Sequence, residues 1–165
     1  MVKAARTGYS ALQIGLHWTV ALLIVLQFLA HESIVNAWDA YQDGEVLATP
    51  PLAFLHIALG FTILVLAIWR LVLRFTRGVP PLPANEPAPL KFLAHATHFG
   101  IYALIIGMPI SGAVAWFLGV EQAAGAHFLA FAILFLLVVL HVAGALFHQF
   151  VLKSSVLSRM AVAED

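Results

Sequence analysis

Residues 124–151 read AGAHFLAFAILFLLVVLHVAGALFHQFV, a stretch with no Asp, Glu, Lys or Arg. It is longer than the roughly 20 apolar residues that carry an α-helix across a bilayer core. His127 and His141 are fourteen residues apart. That is almost four helical turns, so both imidazoles leave one helix face about 21 Å apart along the axis, roughly two-thirds of the core thickness. An ionisable, metal-ligating side chain is costly in lipid, so two on one stripe near opposite leaflets point to a functional device. Their spacing suits a pair of stacked haems.

Working outward, composition sets the class. Charged residues make up 10% of the 165-residue chain and apolar ones 62%, so the ordinary surface of a soluble domain cannot be built and an integral membrane protein is predicted. Segments 13–31, 52–73, 92–118 and 124–151 are long and apolar enough to span. Lipid offers no partner to unpaired backbone groups, so each is expected to be helical and the fold an all-α, four-helix transmembrane bundle. The reading is of one transmembrane domain over 1–165, without internal repeats. The first span resembles a signal peptide in following Lys3 and Arg6, but His17 and Gln27 within it and the missing small-x-small cleavage site predict a retained helix. There is no cysteine, which excludes disulfides, thiolate-held iron–sulfur clusters and thioether-attached haem.

All eight basic residues (Lys3, Arg6, Arg70, Arg74, Arg77, Lys91, Lys153, Arg159) fall in the N-terminal tail, the second connection, the C-terminal tail or the adjoining helix ends. The positive-inside rule then predicts both termini inside, in the inner membrane if the host is a bacterium. The first connection carries Glu32, Asp39, Asp43 and Glu45 and the third Glu121, so both should face the periplasm. The second connection, from Val79 through Pro80, Pro81 and Pro83 to Pro87 and Pro89, reads as a stiff extended linker.

This topology sorts the eight histidines by depth. His17, His95, His98, His141 and His148 lie towards the inside, and His31, His56 and His127 towards the outside. A haem held from two helices needs two imidazoles at one height. On the inner side His17 and His141 match, each roughly 6–10 Å deep. His148 shares the His141 face but sits at headgroup level, while His95 and His98 lie about a turn inside the third span and suit interfacial positions. On the outer side spacing leaves His31 and His56 even as partners for His127. Gly60, one turn after His56, and Gly144, close to His141, give a flat macrocycle room against the backbone.

Several strings in order carry a resemblance: Leu16-His17-Trp18, Leu55-His56-Ile57-Ala58-Leu59-Gly60, Arg70-Leu71-Val72-Leu73-Arg74, Ala94-His95-Ala96-Thr97-His98, Tyr102, Pro109-Ile110-Ser111-Gly112 and Leu140-His141-Val142-Ala143-Gly144. Together they resemble the bacterial cytochrome b561 family, similar in turn to the cytochrome b subunits of formate dehydrogenases and nickel–iron hydrogenases. The resemblance implies two haem b groups, with His17 and His141 as axial iron ligands of the inner one and His56 and His127 of the outer. It thereby favours His56 over His31.

Two histidines per iron leave no open coordination position, so electron transfer is expected rather than oxygen chemistry. Arg70 and Arg74 are placed to pair with haem propionates, or serve simply as positive-inside anchors. The resemblance points to membrane quinone, ubiquinone or menaquinone, as electron partner. Candidate contacts are His95, His98 and Tyr102 near the inner haem, or Trp116 and Phe117 at the outer end of the third span. Pro109, between Gly107 and Gly112, is expected to kink that span. Some members of the family oxidise superoxide at the periplasmic face; here five acids and no base in the outer connections give a field of the wrong sign for capturing that anion.

The leading expectation is an oxidoreductase delivering electrons from a periplasmic donor, superoxide included, to quinone. The alternative is a cytochrome b subunit linking a periplasmic redox protein or a dehydrogenase or hydrogenase partner to the quinone pool. A histidine-relay proton channel is disfavoured, since no mid-membrane acid or inverted repeat accompanies the histidines. A nucleic-acid partner is not expected.

Overall fold

Ser10 opens the first membrane helix with a capping box. Its hydroxyl accepts from the Gln13 backbone N–H, and the Gln13 side chain accepts from the Ser10 N–H at 3.1 Å. Such a cap is worth about 1 kcal/mol. Gln13 also donates to the Gly78 carbonyl, and Arg77 to the Ser10 hydroxyl, which ties this helix start to the far end of the second span.

The computed structural model describes residues 8–45, 48–83 and 86–164. Lys3 and Arg6 lie outside them. Five α-helices follow in order: α1 (Ala11–Leu29), α2 (His31–Gln42), α3 (Pro51–Thr76), α4 (Ala88–Leu118) and α5 (Glu121–Phe150), then a short 3₁₀ turn at Ser158–Met160. Four of them, α1, α3, α4 and α5, are long and apolar enough to cross a membrane.

The structure moves several boundaries. The fourth helix, α4, begins at Ala88 rather than near Phe92, because Pro89 falls in its first turn, where a missing N–H costs nothing. His95 and His98 are therefore two to three turns inside, deeper than the later start implied. The expected kink residue Pro109 lies within an unbroken α4. At the other end of α1 the chain leaves the helix at Ala30, and His31 opens α2 instead of closing the first span. That second helix was not expected. Its stripe of Ile34, Val35 and Trp38, at helical spacing among Glu32, Asn36, Asp39 and Gln42, is the pattern of a helix lying in a membrane interface.

At the centre, Val20, Ile63, Ala67, Ile105 and Leu134 form a buried cluster drawn from all four spans. Large side chains such as Phe54, Phe75, Phe99, Phe128 and Phe150 point outward, which suits lipid and would not suit water. The fifth helix, α5, packs extensively along α4, while α3 packs on α4 and α1 and α2 rests on α3 and α1. Between α5 and the α1–α3 pair, contact is made by side chains reaching across, including Phe28 to Phe131 and Phe135, with ring centres 5.2 and 5.7 Å apart.

Arg70, Arg74, Arg77, Lys91, Lys153 and Arg159 gather at one end of the bundle, the basic end, and Glu32, Asp39, Asp43, Glu45 and Glu121 at the other, the acidic end. The basic end is closed by the chain after α5, which folds back over it. Trp18 Nε1 donates to the Met160 carbonyl at 2.8 Å, Arg159 to the Pro81 carbonyl at 2.9 Å, and Glu164 N–H to the Tyr9 carbonyl at 2.9 Å.

Candidate functional site

Antiparallel spans of known length set which histidines can meet, and the meetings occur at two levels. Towards the basic end the ring centres of His17 on α1 and His141 on α5 are 6.1 Å apart, with planes at 62°. Towards the acidic end His56 on α3 and His127 on α5 are 6.3 Å apart at 60°. The two couples share α5 and are fourteen residues apart along it.

The acidic-end couple lines a cavity of about 630 Å³, bounded also by Gln27, Phe28, Gly60, Met108, Gly112 and Leu134. That volume is within the usual range of cofactor sites. His127 is held from α4: its Nδ1–H donates to the Met108 carbonyl at 2.8 Å, with the Ser111 hydroxyl 3.4 Å away. A proton fixed on Nδ1 leaves Nε2 as a free lone pair, the form a metal ligand needs. Gly112 makes this approach possible, since a Cβ there would stand 3.0 Å from the ring. Gly60 plays a similar part for Gln27, whose Nε2 would lie 3.3 Å from an added Cβ. A Cβ on Gly144 would meet nothing within 4 Å.

His31 lines the same cavity, but its ring lies flat on Phe131, 4.5 Å between centres and 5° between planes. The amphipathic face of α2 supplies Ile34, Val35, Trp38 and Asp39 to the wall, and Glu121 joins from α5, so the mouth of the cavity carries two carboxylates. Trp116 lines it too, whereas Phe117 is exposed beside Phe61.

At the basic-end couple the neighbours are polar. Arg70 Nη2 donates to His17 Nδ1 at 2.9 Å, and its guanidinium carbon lies 5.7 Å from the centre of the Tyr102 ring. The carbonyl one turn back, the simplest partner for a histidine's second nitrogen, is used by His98, whose Nδ1–H donates to Ala94 at 2.6 Å. The His98 ring stands 5.0 Å from His141, edge to face. His95 is exposed. Just beyond α1, burial pushes the Tyr9 phenol above its ordinary value of 10.0 despite the pull of Arg74 nearby, so it stays a neutral donor. In the linker, the buried Glu86 carboxylate lies 3.3 Å from His148 Nε2, whose Nδ1 is 3.2 Å from the Ser154 hydroxyl.

Sequence comparison decides the kinship of this arrangement. Residues 8–161 match the family described as prokaryotic cytochrome b561. The chain belongs to that family. Cytochrome b562 of Cereibacter sphaeroides is 37% identical over 153 residues, covering 93% of this chain and 94% of that one. A probable superoxide oxidase CybB of Yersinia pestis is 31% identical over 173 residues, covering 92% and 94%. The protein is thus a multi-pass membrane cytochrome of the b561 family, and the family implies haem b and electron transport. Sequence reading had brought His17, His56, His127 and His141 forward as candidates. It passed over Met108 and assigned no partner to Gln27, because their contacts join residues nineteen or more positions apart.

Proposed function

We propose that this chain is a di-haem electron-transfer protein of the bacterial inner membrane, carrying electrons between a donor at its acidic, periplasmic end and quinone in the bilayer. The observation that carries the reading is the two imidazole couples at 6.1 and 6.3 Å. With metal–nitrogen bonds of about 2.0–2.1 Å and about 1.1 Å from nitrogen to ring centre, two imidazoles facing each other across one metal would stand about 6.2–6.4 Å apart. His17 with His141 and His56 with His127 would hold the two groups. The residues fit: the His127 tautomer is set for ligation, Gly60 and Gly112 keep side chains out, and the cavity walls are mostly apolar. Haems held by two histidines each would supply one-electron transfer rather than oxygen binding.

Around the basic-end couple this chain's own groups supply charge and protons. A neutral His17 ligating through Nε2 would carry its proton on Nδ1, so Arg70 would give up its bond to that nitrogen and could pair with a haem carboxylate. Arg74, one turn further on, is placed for the same service. His98 through Nε2, the Tyr102 phenol and the exposed His95, nearer the start of α4, are the candidate hydrogen-bond partners for a quinone oxygen. Clustering of the basic residues at this end supports its placement on the cytoplasmic side.

The donor is the point on which this chain differs in chemistry from an anion oxidase. Asp39 and Glu121 stand at the mouth of the acidic-end cavity, with no lysine or arginine among its lining residues. Such a field slows an anion and attracts a cationic or lysine-rich partner. This favours a basic redox protein or a dehydrogenase subunit as the donor over superoxide, despite the name of the Yersinia pestis relative. The test is the rate at which the oxidised protein is reduced by pulsed superoxide. Slow reduction that quickens as salt screens the carboxylates is expected. Fast reduction that slows with salt overturns this assignment of the donor. Reoxidation of the reduced protein by a soluble quinone analogue tests the other end.

Gly112→Val is expected to lose one of the two haems. Its side chain would drive into the His127 ring and separate it from Met108, an overpacking worth about 1–3 kcal/mol. The check is the haem-to-protein ratio of the purified variant, against Gly144→Ala, where added bulk meets nothing and both haems should stay.

A further inference from the structure

Three of the four histidines in the couples differ in what faces their second ring nitrogen. His127 Nδ1 has the Met108 carbonyl, His17 Nδ1 has Arg70, and His56 Nδ1 is buried with no hydrogen-bond partner. A buried ring nitrogen left unpaired costs roughly 1–3 kcal/mol. The carbonyl one turn back, which His98 uses on α4, is not taken by His56 on α3.

A second buried atom is unpaired beside it. Gln27, reaching from α1, donates through Nε2 to the backbone carbonyl of His56 itself at 3.0 Å, while its Oε1 is buried with no donor. Gly60, one turn after His56 on the same face of α3, leaves room for the amide. One unpaired donor site and one unpaired acceptor therefore belong to two residues already joined by a hydrogen bond, on the wall of one cavity.

We infer that Gln27 is the positioning residue of His56, its Oε1 accepting the Nδ1–H when His56 ligates through Nε2. The inference rests on His56 being an axial ligand. The terminal amide torsion of glutamine is broad, so the group can turn, exchanging its Nε2 bond to the His56 carbonyl for one accepted by Oε1 from Nδ1–H. An acceptor on Nδ1–H makes imidazole a more basic ligand, which stabilises the oxidised iron, and fixes the ring plane. Gln27 thus does from α1 what Met108 does from α4, and the acidic-end site receives one such support on each face.

The test is the holoprotein in detergent, measured by equilibrium reduction against electrode potential and by the low-spin resonance of the oxidised haems. Gln27→Leu removes the acceptor without adding charge. It is expected to raise the midpoint potential of one haem and move its largest g-value, leaving the other haem unchanged. Gln27→Glu, a stronger acceptor, is expected to lower the same midpoint, and it answers the question if the leucine variant fails to assemble. Variants that keep two haems with both midpoints and both resonances unaltered overturn the inference. His56→Ala separates the premises: retention of both haems overturns the ligand reading and this inference together. Loss of one haem there, with silent Gln27 variants, overturns the inference alone.

Discussion

Replacing His141 by alanine is expected to halve the haem content, from two groups per polypeptide to one, and replacing His127 is expected to halve it by losing the other. The physical basis is geometric. Each ring has a single counterpart among His17 and His56 at a spacing of 6.1 or 6.3 Å, and the two positions are about 21 Å apart along one helix. Neither substitution disturbs the buried cluster of Val20, Ile63, Ala67, Ile105 and Leu134, so the bundle should still assemble in the membrane. Pyridine haemochrome quantification per polypeptide reads the ratio, and the bands that disappear should differ between the two variants. His98 is the residue that could complicate the first result, since its ring lies 5.0 Å from His141. A His141→Ala protein that retains two haems would mean that His98 can take over, and the pairing proposed at the basic end would be wrong.

The second large effect concerns the acidic end. His56→Ala is expected to lose the haem there, whereas His31→Ala is expected to keep both. The two histidines line one cavity, so proximity alone does not separate them. Orientation does: the His56 ring faces His127, and the His31 ring lies flat on Phe131. Losing that stack removes an aromatic contact of about 0.5–1.5 kcal/mol and leaves the couple untouched. The same haemochrome ratio distinguishes the outcomes, with two expected for His31→Ala and one for His56→Ala. The reverse pattern would move the ligand from α3 to the start of α2.

Much of this architecture is legible in the sequence because lipid leaves few choices. Long runs without charge must be helices, basic residues gather at one end, and histidines at a given distance from a helix end share a height. That logic brings His17 to His141 without any knowledge of packing. It fails where a short segment serves the interface. The acids of 31–42 read as a connection, although the Ile34, Val35 and Trp38 stripe was there to be counted. It fails again where proline opens a helix, as Pro89 does, which sets His98 deeper than expected and beside His141. The supports for the rings were not legible at all: the Met108 carbonyl and the Gln27 amide come from other helices, nineteen and twenty-nine positions away. A backbone carbonyl also carries no signature in the identity of its residue.

Among the described residues the fifth helix packs mainly along α4, while its other flank meets α1 and α3 through Leu134 in the buried cluster and through facing rings. Whatever binds between those flanks becomes a cross-member of the bundle, and its binding free energy adds to the stability of the assembled chain. The haem-loaded protein is therefore expected to unfold at a higher temperature than the same chain prepared without porphyrin.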